Sequence, residues 1–219
     1  MKKITQSKLL SILSGASTIE KDALGLKVAV LEDGNFIKLF RRKRLVSSSL
    51  WSLPAKRFAD NSKGLNARGI KAPSPIELLS VPESRLSAVI YTPLPGETLR
   101  QRLSSISPDQ ADETVTKFGA FLGELHERGV YFRSLHLGNV ICLPDDSFAL
   151  IDVSDMQLSA SPLSAWKRRR NLQHILRYPE DIRWLTETHG AAWIAGYQQT
   201  SGADNARRLA EAIKTISRP

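Results

Sequence analysis

At 219 residues the chain is long enough for one sizeable core, or for two modest lobes sharing a cleft, and too short for several independent domains. Apolar residues at 42% and charged residues at 24% exclude both a disordered tail and a membrane-embedded protein. With 31 Lys plus Arg against 22 Asp plus Glu, the formal charge of +9 predicts a surface that attracts phosphates, nucleic acid or acidic lipid headgroups, without choosing among them.

Met1, Lys2 and Lys3 resemble the start of a signal peptide, but Gln6, Ser7, Lys8 and Ser11 interrupt any apolar stretch, so a cytoplasmic protein is expected. No run approaches the ~18 apolar residues of a membrane helix, which leaves only peripheral membrane contact. Residues 17–40 alternate as a β-meander, with Leu26, Val28 and Val30 on one face and Asp33-Gly34-Asn35 as a turn. After the basic cluster Arg41, Arg42, Lys43 and Arg44, residues 55–68 read as a helix that begins behind Pro54 and stops at Gly69. A stretch punctuated by Pro73, Pro75 and Pro82 leads to a strand over 86–91, and the turn Pro93-Leu94-Pro95-Gly96 is the expected boundary between an N-lobe (about 1–92) and a C-lobe (about 97–219).

A short helix over 98–103 follows, then a longer one capped by Ser107-Pro108-Asp109, with Val115, Phe118, Leu122 and Leu125 at helical spacing. Beyond Gly129 comes a loop, and then strands over 140–143 and 148–153 joined by Pro144-Asp145-Asp146-Ser147. Helices are expected over 164–176, 180–188, 191–199 and 203–217. The single cysteine, Cys142, lies in an apolar run and reads as a buried thiol.

The informative segment runs from Gly129 through Arg133, Ser134, His136 and Asn139 to Asp152. Five positions separate Ser134 from Asn139, and thirteen separate Asn139 from Asp152. In this spacing the segment resembles the catalytic loop and metal-binding strand of the protein-kinase-like superfamily. The resemblance implies Asn139 and Asp152 as a metal pair: a helix delivers the chain to a loop, the loop turns one oxygen ligand toward the cleft, and a hairpin returns a carboxylate beside it. Hard cations such as Mg²⁺ bind through few protein oxygens plus nucleotide phosphates, so two such ligands suffice, although either residue taken singly reads as a loop-capping or turn residue.

Two further landmarks precede it in the right order. Lys38 matches the strand lysine that neutralises the α- and β-phosphates, and the segment from Tyr91 and Pro93 to Leu99 looks like the hinge whose backbone holds adenine. The resemblance implies an α+β, bilobal fold with a β-rich N-lobe and a short, mostly helical C-lobe, and it implies ATP and Mg²⁺ as cofactors. The short C-terminal part and arginine-rich helix make the chain look most like bacterial lipopolysaccharide core heptose kinases and their smaller toluene-tolerance relatives. That likeness implies a lipopolysaccharide core sugar as acceptor, at the cytoplasmic face of the inner membrane, in contact with its anionic surface.

The departures are equally specific. Phe132 replaces the loop histidine, Arg133 matches the arginine that follows it, and Ser134 stands where the base aspartate belongs. A serine hydroxyl orients a substrate hydroxyl but does not take its proton at neutral pH, and losing a general base costs on the order of 10²- to 10⁴-fold. His136 and Asp155 are the nearby candidates to substitute. The alternative is a pseudokinase that regulates or scaffolds another envelope-biogenesis protein. A GxGxxG loop is missing, with only Gly15 and Gly25 near the first strands, and Asp60 is the only carboxylate on the 55–68 helix for pairing with Lys38.

His126 and His136 have no Cys or His partner at zinc-ligand spacing and read as structural or loop histidines, and His174 and His189 read as helix residues without partners. The clusters Arg41 to Arg44 and Lys167 to Arg170 read as solvated faces or anion sites, Trp184, Trp193 and Tyr197 as helix packing, and Trp166 as packing or an interface. Nucleic-acid binding rests on charge alone, with no recognisable module.

Overall fold

The computed structural model describes residues 1–23, 25–41 and 53–216; Arg42, Lys43 and Arg44 of the first basic cluster lie outside them. The architecture is α+β, in two compact units, Met1–Leu94 and Pro95–Pro219, and the division falls inside the Pro93 to Gly96 turn.

The first unit is built on one six-stranded sheet. Its elements are β1 (Lys2–Lys3), α1 (Gln6–Leu13), β2 (Ser17–Asp22), β3 (Gly25–Val30), β4 (Phe36–Arg41), α2 (Pro54–Asn66), β5 (Ser74–Val81) and β6 (Leu86–Thr92). The strand order is β1-β5-β6-β4-β3-β2, antiparallel except for the β1 and β5 pair. The meander of β2, β3 and β4 follows the sequence pattern, with Leu31 and Asn35 closing the turn through a 2.8 Å bond and the Asp33 carboxylate accepting from the Asn35 amide.

Three elements of this unit escape the pattern: the two-residue β1, too short to show a period, and β5 and α1. Strand β5 occupies the proline-punctuated stretch: Pro75 stands opposite Tyr91 near the strand's start, where a missing N–H is tolerated, and a register shift before Glu77 restores the ladder. Helix α1 has eight residues, too few to hold alone, and it persists because Leu9 joins Ala29, Ile37, Leu39, Leu79, Val81 and Ala88 in the core. Thr5 caps it by accepting from the Lys8 amide.

Along β4 the residues alternate in direction. Ile37 and Leu39 belong to the core beneath α1, so Phe36, Lys38 and Phe40 fall on the opposite face of the sheet. There Phe58 of α2 packs on Phe40 and Tyr91, at ring distances of 6.4 and 5.2 Å.

The second unit contains β7 (Glu97–Thr98), α3 (Leu99–Ser105), α4 (Pro108–Glu127), β8 (Val130–Phe132), β9 (Val140–Cys142), β10 (Phe148–Leu150), β11 (Met156–Leu158), α5 (Ala165–Ile175), α6 (Pro179–Ile182) and α7 (Gly190–Ile216). Helix α6 runs on into a wide π-type turn, Arg183–Thr188. Capping boxes at Thr98 with Gln101 and at Ser107 with Gln110 start α3 and α4. Helices α4 and α7 pack so closely that glycine is required at the crossing: a Cβ at Gly196 would fall on the Thr116 carbonyl, and one at Gly119 on the Trp193 carbonyl. Phe118 stacks on Trp193 beside them, at 6.4 Å.

The expected break between 199 and 203 is a single residue, Gly202, with φ 78° and ψ 166° inside α7. The short pairs β7 with β9 and β8 with β11 lie outside the sequence expectation, because their partners are far apart along the chain, whereas β9 and β10 flank a readable turn.

Candidate functional site

Strands β8 and β11 pair antiparallel and hold the two ends of the informative segment together. Between β8 and β9 the chain forms a loop closed by a single 3₁₀ turn, Leu137–Asn139. The His136 ring starts that turn by accepting from the Gly138 amide through Nδ1, at 3.1 Å. The Asn139 side chain reaches back and donates through Nδ2 to the Ser134 carbonyl at 2.8 Å, while the Asn139 carbonyl accepts from the Ile151 amide at 3.0 Å. The first bond orients the Asn139 amide, leaving Oδ1 without a hydrogen-bond partner among the described residues. The second places Asn139 against the residue immediately preceding Asp152.

Asp152 itself sits in the left-handed region, φ 54°. Arg85 and Asp146 are the other non-glycine residues with positive φ among those described, and both lie in turns. Asp152 follows a strand instead. Such a backbone costs of order 1 kcal/mol and concentrates at sites where a side chain must be aimed.

The loop is braced from below by residues to which the sequence motif gives no clue. Asp181, 0% exposed, accepts from the Leu137 amide at 3.1 Å and takes both Nε and Nη2 of Arg100 at 3.0 and 2.9 Å. Arg100 lies over the Tyr178 ring at 4.7 Å, and His136 stands edge-on to the same ring at 5.0 Å. Asn171 of α5 donates to the Phe132 carbonyl at 2.7 Å, and Arg177 donates to that of Arg133. In sequence, Asp181 is only an acid in the first turn of a helix and Arg100 only a surface-type residue after a turn. Their pairing spans 81 positions and has no local signal.

The candidates for a proton acceptor are constrained by these bonds. Asp155 is ion-paired to Arg133, whose backbone amide also donates to the Asp155 carbonyl. Burial, followed by the Arg100 charge, pushes the His136 pKa below its ordinary value. The ring is therefore neutral near pH 7, and with Nδ1 accepting, Nε2 carries the hydrogen and offers a donor. Ser134 is half-buried, and its carbonyl is held by Asn139.

In the first unit, Lys38 is only 6% exposed, between Val28 and Val89 in register, with its ammonium 5.9 Å from the Phe40 ring. Tyr91 is a core side chain of that unit, packed on Phe36 and Phe58, so any adenine contact at this position falls to backbone. Pro93 follows β6, half-buried. The expectation that Asp60 pairs with Lys38 is corrected. Asp60 is exposed and bonded to Lys56 one turn earlier at 2.6 Å, because the buried stripe of α2 is Ala55, Phe58, Ala59, Ser62 and Leu65.

Compared with known proteins, the chain matches no protein-family model and no curated protein.

Among the described residues no three His, Cys, Asp or Glu side chains gather into a metal cluster. Asn139 and Asp152 nevertheless suit Mg²⁺, a hard ion that uses one or two protein oxygens and takes the rest from phosphate and water. The unengaged Asn139 Oδ1 is the observation that fits.

The other histidines are bonded within the second unit, which corrects the expectation that His174 and His189 lack partners: His174 meets Arg177 at 3.3 Å and the Tyr131 ring. His126 is fully buried and shares a 2.8 Å bond with the Tyr197 hydroxyl, which also accepts from Arg168. Burial, then the Arg168 charge, lowers its pKa to about 3. His189 caps the wide turn and meets Asp112 at 2.7 Å. Arg168 departs from the solvated-face reading of its cluster: it is 8% exposed and bonds Glu127, Ser201 and the Leu163 carbonyl as well.

Proposed function

We propose that the chain is a bilobal kinase-like protein that binds ATP with Mg²⁺, and that it is a phosphotransferase, or a weakly active descendant of one, acting on a lipopolysaccharide core sugar. The observation that carries the reading is the Asn139 and Asp152 pair: one amide oriented by the Ser134 carbonyl, one carboxylate on a left-handed backbone, and the two segments joined by the bond from the Ile151 amide to the Asn139 carbonyl. The order of the first unit supports it too, since a buried lysine on the third meander strand precedes a helix and two further strands.

In this reading Asn139 and Asp152 hold Mg²⁺, which supplies charge neutralisation on the nucleotide phosphates. The resemblance gives Lys38 the role of neutralising the α- and β-phosphates, and the backbone after β6 that of holding adenine. The His136 Nε2 hydrogen donates to an acceptor or phosphate oxygen, and Ser134 orients the acceptor hydroxyl. Positioning and electrostatics provide most of the acceleration in such a transfer, so a site without a carboxylate base retains slow chemistry. The sugar acceptor and its location at the inner membrane rest on the likeness to heptose kinases.

A second reading, a pseudokinase that regulates an envelope-biogenesis partner, is favoured by one observation: every candidate base on the loop is otherwise engaged, Asp155 by Arg133 and His136 Nδ1 by Gly138.

Thermal melts test nucleotide binding: Mg²⁺ and ATP together should raise the melting temperature, and Asp152→Ala and Lys38→Ala should each abolish the rise. No rise in the native chain removes the reading. Phosphate incorporation into core oligosaccharide separates the two versions. For a phosphotransferase, Ser134→Asp increases transfer on the order of 10²-fold or more, whereas a purely regulatory protein shows none in either form.

A further inference from the structure

A concave surface of the second unit is lined by none of the loop residues named above. Helix α5 and the part of α7 beyond Gly202 border a cavity of about 430 Å³. Its volume falls in the range of small-molecule sites, about 300–1,000 Å³. Leu172, Leu209 and Ala212 form an apolar floor, and all three are buried. Trp166, 69% exposed, stands at its edge.

The charge around this floor is one-sided. Arg169 and Arg208 line the cavity, are exposed, and make no hydrogen bond or ion pair among the described residues. Glu211 is the single carboxylate among the lining residues. Arg168 also reaches the cavity, but its guanidinium is spent on Glu127, Tyr197 and Ser201. Two unspent guanidinium groups beside an apolar recess ask for a ligand that is anionic at one end and apolar at the other. An exposed tryptophan at the rim is the side chain that settles at the headgroup level of a bilayer. The chain's +9 charge draws it toward an anionic surface in the first place.

We propose that the groove between α5 and the second half of α7 docks an anionic phospholipid at a bilayer surface. The apolar chain lies on Leu172, Leu209 and Ala212, Arg169 and Arg208 meet the phosphate, and Trp166 inserts beside it. No residue of the nucleotide reading is involved, so the two stand or fall separately.

The test is sedimentation with vesicles of phosphatidylglycerol in phosphatidylcholine, read together with tryptophan emission. The native chain should bind these vesicles and not pure phosphatidylcholine, with a blue shift that Trp166→Phe removes. Arg169→Gln and Arg208→Gln should each weaken binding about fivefold. Arg207→Gln, which removes an exposed arginine paired to Asp204 outside the groove, should do less. The replaced side chains are exposed, and unchanged melting temperatures check that each variant folds. Asp152→Ala should leave vesicle binding intact. Equal losses from Arg207→Gln and from Lys2→Gln in the first unit would mean diffuse attraction and overturn the site. Competition by glycerol phosphate as strong as that by lipid would reduce it to a headgroup anion site, and capture of an acidic amphipathic peptide without vesicle binding would assign it to a protein; either result overturns the proposal.

Discussion

The left-handed backbone at Asp152 separates its structural role from the metal-binding role proposed for it. Asparagine tolerates that conformation as well as aspartate, whereas a β-branched residue does not. Asp152→Asn should therefore retain the melting temperature while losing the Mg²⁺-dependent response to ATP. Asp152→Val should cost a further ~1–2 kcal/mol in denaturant titration. Asp60 gives the opposite contrast: exposed and paired only to Lys56, it should tolerate Asp60→Ala within about 0.5 kcal/mol, with nucleotide binding unchanged. His126 sets a pH dependence. Above pH 6.5 both folded and unfolded chains hold it neutral. As the pH falls below 6.5, the unfolded chain takes up a proton that the folded chain refuses until about pH 3, so this contribution to stability is lost in that window. The folding equilibrium should drop by up to about tenfold per pH unit there, and urea titrations of His126→Gln against the native chain should show the slope flattened.

At the scale of elements, the loop between β8 and β9 is held by long-range partners more than by its own sequence. Asp181 is a buried carboxylate whose ligands are Arg100 and the Leu137 amide. Removing it strands the Leu137 amide and leaves Arg100 to its second partner, Glu180 at 2.9 Å, so Asp181→Ala should destabilise the second unit by about 1–3 kcal/mol. Where the variant still folds, it should weaken the nucleotide response. The crossing of α4 and α7 is the second point of rigidity. Because a Cβ at Gly196 would meet backbone and not a movable side chain, Gly196→Ala should cost about 2 kcal/mol or more, measurable by thermal melts. The sequence shows α4, with its cap and apolar repeat, but not the reason for glycine at 119 and 196, since that reason lies on the other helix. The same holds for α1 and β5: eight residues with ordinary propensity and a strand opened by Pro75 become regular only because the sheet has a place for them.

For the whole molecule, the +9 charge is a statement about attraction and not about fold. Any affinity for duplex or single-stranded nucleic acid should be sequence-independent and negligible at ~150 mM salt, because net charge is the only ground for expecting it. What the sequence determined by itself was local. The meander, the capped α4, the Gly202 break, the spacing of Asn139 from Asp152 and the buried character of Cys142 are each written in neighbouring residues, through periods, caps and turn chemistry. The tertiary structure decided the rest, because it depends on residues far apart along the chain. It turned Asp60 outward, engaged His136 Nδ1 and Asp155, set Arg100 on Asp181 beneath the loop, buried Arg168 within a cluster that reads as solvated, and left Arg169 and Arg208 facing an apolar recess. A partner's identity is a property of packing, and no one-dimensional spacing specifies which side chain arrives from 81 positions away.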